Sequence, residues 1–196
     1  MTSRQDEELR RELLEMAACD LKVRDDLIRR GVLNDGYHPE MEAVHVQNAS
    51  RLKQILAERG WPTPALVGDD GAEAAWLIVQ HAIGDPPLQR RCLELLQRAG
   101  NAGEVPLWQA AMLEDRIRMF EGKPQIYGTQ LEVNDDGSLR PYLLEDPDHV
   151  EERRSRVGLE PLSSRLASEP HSPKPSNPER LECEYQAWLR RVGWRS

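Results

Sequence analysis

The hydrophobic residues of this chain return at helical spacing over most of its length. From Ser3 to Gly31, Leu9, Leu13, Met16, Ala17 and Leu21 share a face, and Leu27 and Ile28 continue it after a slip of phase. Gly31 is a fitting stop, since helices often end on a residue that turns left-handed. The stretch "LNDGYHPE" reads as a loop, and its Pro39 opens a second helix that runs to Gly60. "WPTPALVG" reads as extended, because each proline also restricts the residue before it. Asp70 then caps a third helix, with Glu73 placed for a capping box. Asp85 and Pro86 start a fourth helix ending at Gly100, and "PLWQAAMLEDRIRMFEG" gives a fifth.

After the fifth helix the period changes from helical to alternating. "IYGTQLEV", the turn "NDDG" and "SLRPYLL" predict a hairpin, with Pro141 marking its second strand as an edge. Asp146 and Pro147 open a further helix, "DPDHVEERRSRVG". The stretch from Glu160 to Pro178 is rich in Ser and Pro and reads as a linker. Asn177 and Pro178 cap a last helix. The expected architecture is mostly α: a single domain over residues 1–162, with about five or six packed helices and a small antiparallel hairpin. A linker at 163–178 and an appended helix at 179–196 follow.

Composition narrows the class. The chain has 196 residues, 39% of them hydrophobic and 31% charged, and a net charge of −8. Its mean hydropathy is −0.68. No block of Lys or Arg is present to neutralise phosphates, so nucleic acid and anionic membrane are not expected partners. No apolar run approaches the ~20 residues of a membrane span. "MTSRQDEELRR" has no hydrophobic region of a secretory signal, and the expected location is the cytoplasm. Cys19, Cys92 and Cys183 are odd in number and widely spaced, which reads as free thiols. Cys19 and Cys92 are expected to act as small core hydrophobes.

The chemistry is read from polar residues that fall where apolar ones belong. Met41, His45, Asn48, Leu52 and Ile55 form one line on the second helix. Trp108, Ala111, Met112, Asp115 and Met119 form another on the fifth. The third helix is apolar nearly all round, so its Gln80 and His81 are also expected to be buried. A buried polar group left without a partner costs about 1–3 kcal/mol, so these groups are expected to meet one another. The expected cluster is His45, His81 and Asp115. A plainer reading stands beside this one: His81 caps free carbonyls near its helix end, and Asp115 pairs with an Arg.

Other motifs give less. Glu42 and His45 form an E-x-x-H pair, but the second such pair of a carboxylate-bridged di-iron bundle is missing. No metal or other cofactor is therefore expected, with a mononuclear site from His45, His81 and an acid as the lesser alternative. There is no G-x-S-x-G and no glycine-rich phosphate loop. In "GKPQIYGTQ", Gln125, Tyr127 and Gln130 are placed either to read a ligand by hydrogen bonds or to start a strand with a bulge at Gly128.

"YHPEMEAVHVQNASRL", "GWPTPALVGDDGAEAAWLIVQHAIGDPPLQRR", "WQAAMLEDRIRMFEGKPQIYGTQ" and "EDPDHVEERRSRVGLEPL" resemble a bacterial family of unknown function, DUF6624. The resemblance runs from about Tyr37 to Leu162. It marks His45, His81, Asp115, Arg116, Gln125, Tyr127 and Gln130 as motif positions, and it implies no activity. Many relatives read "QHADHDP" where this chain reads "QHAIGDP", so an acid at position 83 would be lacking here.

Two functions are expected from these readings. The first is a small metal-independent enzyme acting on a polar small molecule or peptide. His81 would be its acid or base, tuned by Asp115 or His45. Arg116 would hold an anionic group, and Gln80, Asn48, Gln125, Tyr127 and Gln130 would complete the site. The second is a non-catalytic interaction module whose polar cluster only fixes packing. It would dock a protein partner through the last helix, with Trp188 and Trp194.

Overall fold

The structure is a computed structural model that describes residues 3–33, 36–134, 136–168 and 177–196. Among the described residues it is mostly helical. The α-helices are α1 (Arg4–Arg29), α2 (Pro39–Arg59), α3 (Pro64–His81), α4 (Pro86–Asn101), α5 (Leu107–Phe120), α6 (Val150–Arg156), α7 (Leu162–Ser168) and α8 (Pro178–Val192). Strands β1 (Leu131–Val133) and β2 (Leu139–Pro141) form one antiparallel hairpin in which Glu132 faces Arg140. No helix among the described residues is long and apolar enough to cross a membrane. The chain divides into two compact units, 1–105 and 106–196, where the sequence suggests one domain to residue 162.

The first unit is built by α1 to α4. Helix α1 packs on α2 and α3, α2 packs on α3, and α3 packs on α4. Its core holds Leu13, Leu27, Leu52, Ile55, Val67, Ile78, Val79, Cys92 and Leu96, all essentially buried. The helix ends are set locally. Ser3 and Asp6 form a reciprocal capping box on α1, and Asp85 accepts from Leu88 N at the start of α4. One start differs from the expectation. The segment read as extended already turns helical at Pro64, a position where proline's fixed φ suits the first turn. The helix then breaks at Gly68 (φ 74°, ψ 166°) before continuing, and Asp70 pairs with Arg10 of α1. A side chain is disfavoured at Gly68, because its Cβ would also sit 3.2 Å from Asp70 Oδ1.

The second unit holds α5, the hairpin and α6 to α8. The expected hairpin forms, with shorter strands than the alternation suggests. Within the stretch read as a linker, residues 162–168 form α7, and Leu162 is buried. Residues 169–176 of that linker lie outside the described residues. Helix α8, expected as an appendage, lies within the second unit. Phe120 meets Trp188 edge-on at 5.6 Å between ring centroids and stacks on Trp194 at 5.1 Å. Arg195 donates to the carbonyls of Met119 and Phe120 at the end of α5.

Candidate functional site

Three helices of the first unit bring Asp20, His45 and His81 together. On α2 the line Met41, His45, Asn48, Leu52 and Ile55 is buried throughout, as its phase predicts. His81 is the last residue of α3 and remains partly exposed. The carboxylate between the two rings comes from α1. Asp20 is fully buried, and its Oδ1 lies 2.8 Å from His81 Nδ1. Its Oδ2 lies 3.3 Å from His45 Nε2, in ion-pair range but misaligned for a hydrogen bond. The imidazole centroids are 5.2 Å apart. Tyr37 Oη lies 2.7 Å from the other ring nitrogen of His45.

Burial raises the Asp20 pKa, but the two imidazoles beside it outweigh that and hold the carboxyl well below the usual range. Asp20 is thus a charged group taken out of water with, among the described residues, two histidines as its partners. His81 engages Asp20 through Nδ1, and its Nε2 has no protein partner among the described residues. The arrangement orients one imidazole through one nitrogen and presents the other.

A cavity of about 340 Å³ adjoins the cluster. His45 and Tyr37 contribute polar wall, as do Ser50, Lys53 and Asp85, while Val46, Ala49 and Ala82 are apolar. Lys53 pairs with Asp85, whose other oxygen caps α4. That volume suits a small molecule.

The remaining predicted residues fall elsewhere. Asn48 is buried on the expected face, but its amide donates to the Met16 carbonyl at 3.3 Å and ties α2 to α1. Gln80 is buried with neither side-chain amide atom hydrogen-bonded. Glu42, the other half of the E-x-x-H pair, is not the acid beside the imidazoles; Asp20 is. Cys19, expected in the core, is exposed, while burial pushes the Cys92 thiol up to about 12.

Asp115, Arg116, Gln125, Tyr127 and Gln130 belong to the second unit. Asp115 is buried as predicted, but not as the acid that the histidines share. Its carboxylate accepts from the backbone N–H groups of Ile126, Tyr127 and Thr129 at 2.8–3.2 Å. Burial raises its pKa more than those bonds lower it. Gln125 is fully buried and closes the same loop. Its Nε2 donates to the carbonyls of Gln130 and Tyr142, and its Oε1 accepts from Gln130 N. Arg153 and Arg154 hold the carbonyls of Ile126 and Tyr127. These side chains therefore build the segment 125–130. Arg116 has an unpartnered buried Nε, and desolvation pulls its pKa down to about 10. Gln130 donates to Thr129 Oγ1.

The chain belongs to DUF6624, a family of unknown function whose model matches residues 7–169. The match extends beyond the motifs at 37–162 and takes in α1, so Asp20 lies within it. No curated protein and no solved structure matches the chain.

Proposed function

We propose, for a chain whose family assigns no activity, that it is an enzyme acting on a small polar molecule. Its working centre is the Asp20–His45–His81 cluster. One observation carries the reading: two imidazoles from different helices reach one fully buried carboxylate, and one of them walls a small cavity. In the proton-transfer version of this reading, Asp20 holds His81 by Nδ1, and Nε2 exchanges a proton with the ligand. His45, backed by Tyr37, orients the ligand from the cavity wall. Asp115 and Gln125 support the loop 125–130 and are not part of the chemistry.

The alternative of a purely structural network is less favoured. A closed network would satisfy its own polar atoms, whereas Asp20 Oδ2 and His45 Nε2 are buried without a hydrogen bond. The test is a ligand-observed NMR screen of small polar metabolites against the full chain. It is repeated with His45→Gln and with Ser50→Trp, which fills the cavity from an exposed position. The reading expects at least one ligand whose signal change is lost in both variants. Ligands that bind the variants as well as the parent chain would overturn it.

A further inference from the structure

We infer that Asp20, His45 and His81 form a binding site for a first-row divalent transition metal. This rests on reading the cluster as the working centre, and it takes up the lesser of the two sequence alternatives against the preferred expectation of no metal. The ligand set is two imidazoles and one carboxylate, and one candidate ligand atom from each lies within 4.8 Å of the others. The individual separations are 2.8 Å from Asp20 Oδ1 to His81 Nδ1 and 3.3 Å from Asp20 Oδ2 to His45 Nε2. An ion holding N and O ligands at about 2.0–2.2 Å in tetrahedral geometry spaces them by roughly 3.3–3.5 Å. To reach that spacing Asp20 Oδ1 and His81 Nδ1 must part by about 0.5–0.7 Å, and the widest separation of the set, bounded at 4.8 Å, must close.

Two further observations point to a cation. Asp20 Oδ2 and His45 Nε2 face each other, buried and without a hydrogen bond, which is costly unless something takes both lone pairs. Among the described residues Asp20 has no lysine or arginine partner, and its charge is answered by the two imidazoles. A dication lying between these atoms satisfies all three at once. Imidazole donors select zinc, iron, cobalt or nickel over magnesium or calcium.

The outer contacts fit as well. For His45 Nε2 to offer its lone pair, Nδ1 must carry the proton, and Tyr37 Oη at 2.7 Å is placed to accept it. Three protein ligands leave coordination positions open, as in catalytic rather than structural sites. Binding converts the direct Asp20–His81 hydrogen bond into two coordination bonds. The polarising role then passes from His81 to the ion.

The test is titration of chelator-treated full-length chain with Co²⁺ and Zn²⁺. It is followed by calorimetry and by the paramagnetic shifts that Co²⁺ imposes on histidine ring protons. The inference expects stoichiometric binding and large shifts at His45 and His81, with His38 and His149 little affected. Asp20→Asn, His45→Gln and His81→Gln should each weaken binding by at least ~10-fold, and His149→Gln should not. If a variant fails to fold, the shifts in the parent chain decide. Absence of stoichiometric binding overturns the site, as do shifts confined to His38 or His149. Because the metabolite screen is a separate measurement, the two readings fail separately. Metal binding without a ligand keeps the site and removes the enzyme. A ligand without metal binding removes the site and leaves proton transfer.

Discussion

Asp20 lies three residues after Ala17 and seven after Leu13, on the buried stripe of α1. The sequence instead suggests Leu21 for that stripe and a slip of phase afterwards. Leu21 is 44% exposed and Ile28 47% exposed, and with Asp20 in the stripe no slip is needed to reach Leu27. The signal was the same one that reveals His45 and Asn48, a polar residue at an apolar phase, but a neighbouring leucine masked it. Asp115 was legible as buried, while its partners were not, because backbone N–H groups carry no trace in the sequence. Replacing Asp115 with Ala strands the N–H groups of Ile126, Tyr127 and Thr129. It should cost about 2–3 kcal/mol. Hydrogen exchange at those three amides should quicken with it; unchanged protection would remove Asp115 as the organiser of the loop.

At the scale of elements, two of the three caps read from the sequence were legible, while Asp70, read as the cap of the third helix, lies inside α3 and pairs with Arg10. Asp85 and Asn177 each accept a backbone N–H at a helix start, as does Ser3, which the sequence marked only as the start of its helix. Pro64 was misread because proline suits both an extended segment and a first helical turn, and only tertiary packing chooses between them. Composition concealed α7 for a related reason: a Ser/Pro-rich average hides the short run around Leu162. Gly128 was read as a possible strand bulge, and its φ of 67° marks a tight turn in the segment built by Asp115 and Gln125. Gly128→Ala would place a Cβ 3.1 Å from Leu144 Cδ2 in a left-handed conformation, and should cost about 1–2 kcal/mol by urea unfolding. In α8, Leu189 is fully buried. Leu189→Ala should cost about 2–4 kcal/mol. A loss below about 0.5 kcal/mol would return α8 to the status of an appendage.

For the whole molecule, the helical class and the hairpin were legible because period and turn chemistry agree over long stretches. The division after Val105 was not, since "NAGEV" reads like any other loop. The candidate site depends on residues 61 positions apart in the chain, and sequence spacing alone does not show such a meeting. The account stands on Asp20 and His81 acting as one unit in the first bundle. A double-mutant cycle of Asp20→Asn and His81→Gln, measured by urea unfolding of chelator-treated protein, addresses this most directly. The account predicts that the double variant loses less stability than the two single losses added together, by more than about 0.5 kcal/mol. Additivity within about 0.3–0.5 kcal/mol would contradict it, leaving Asp20 and His81 as neighbours that do not act together.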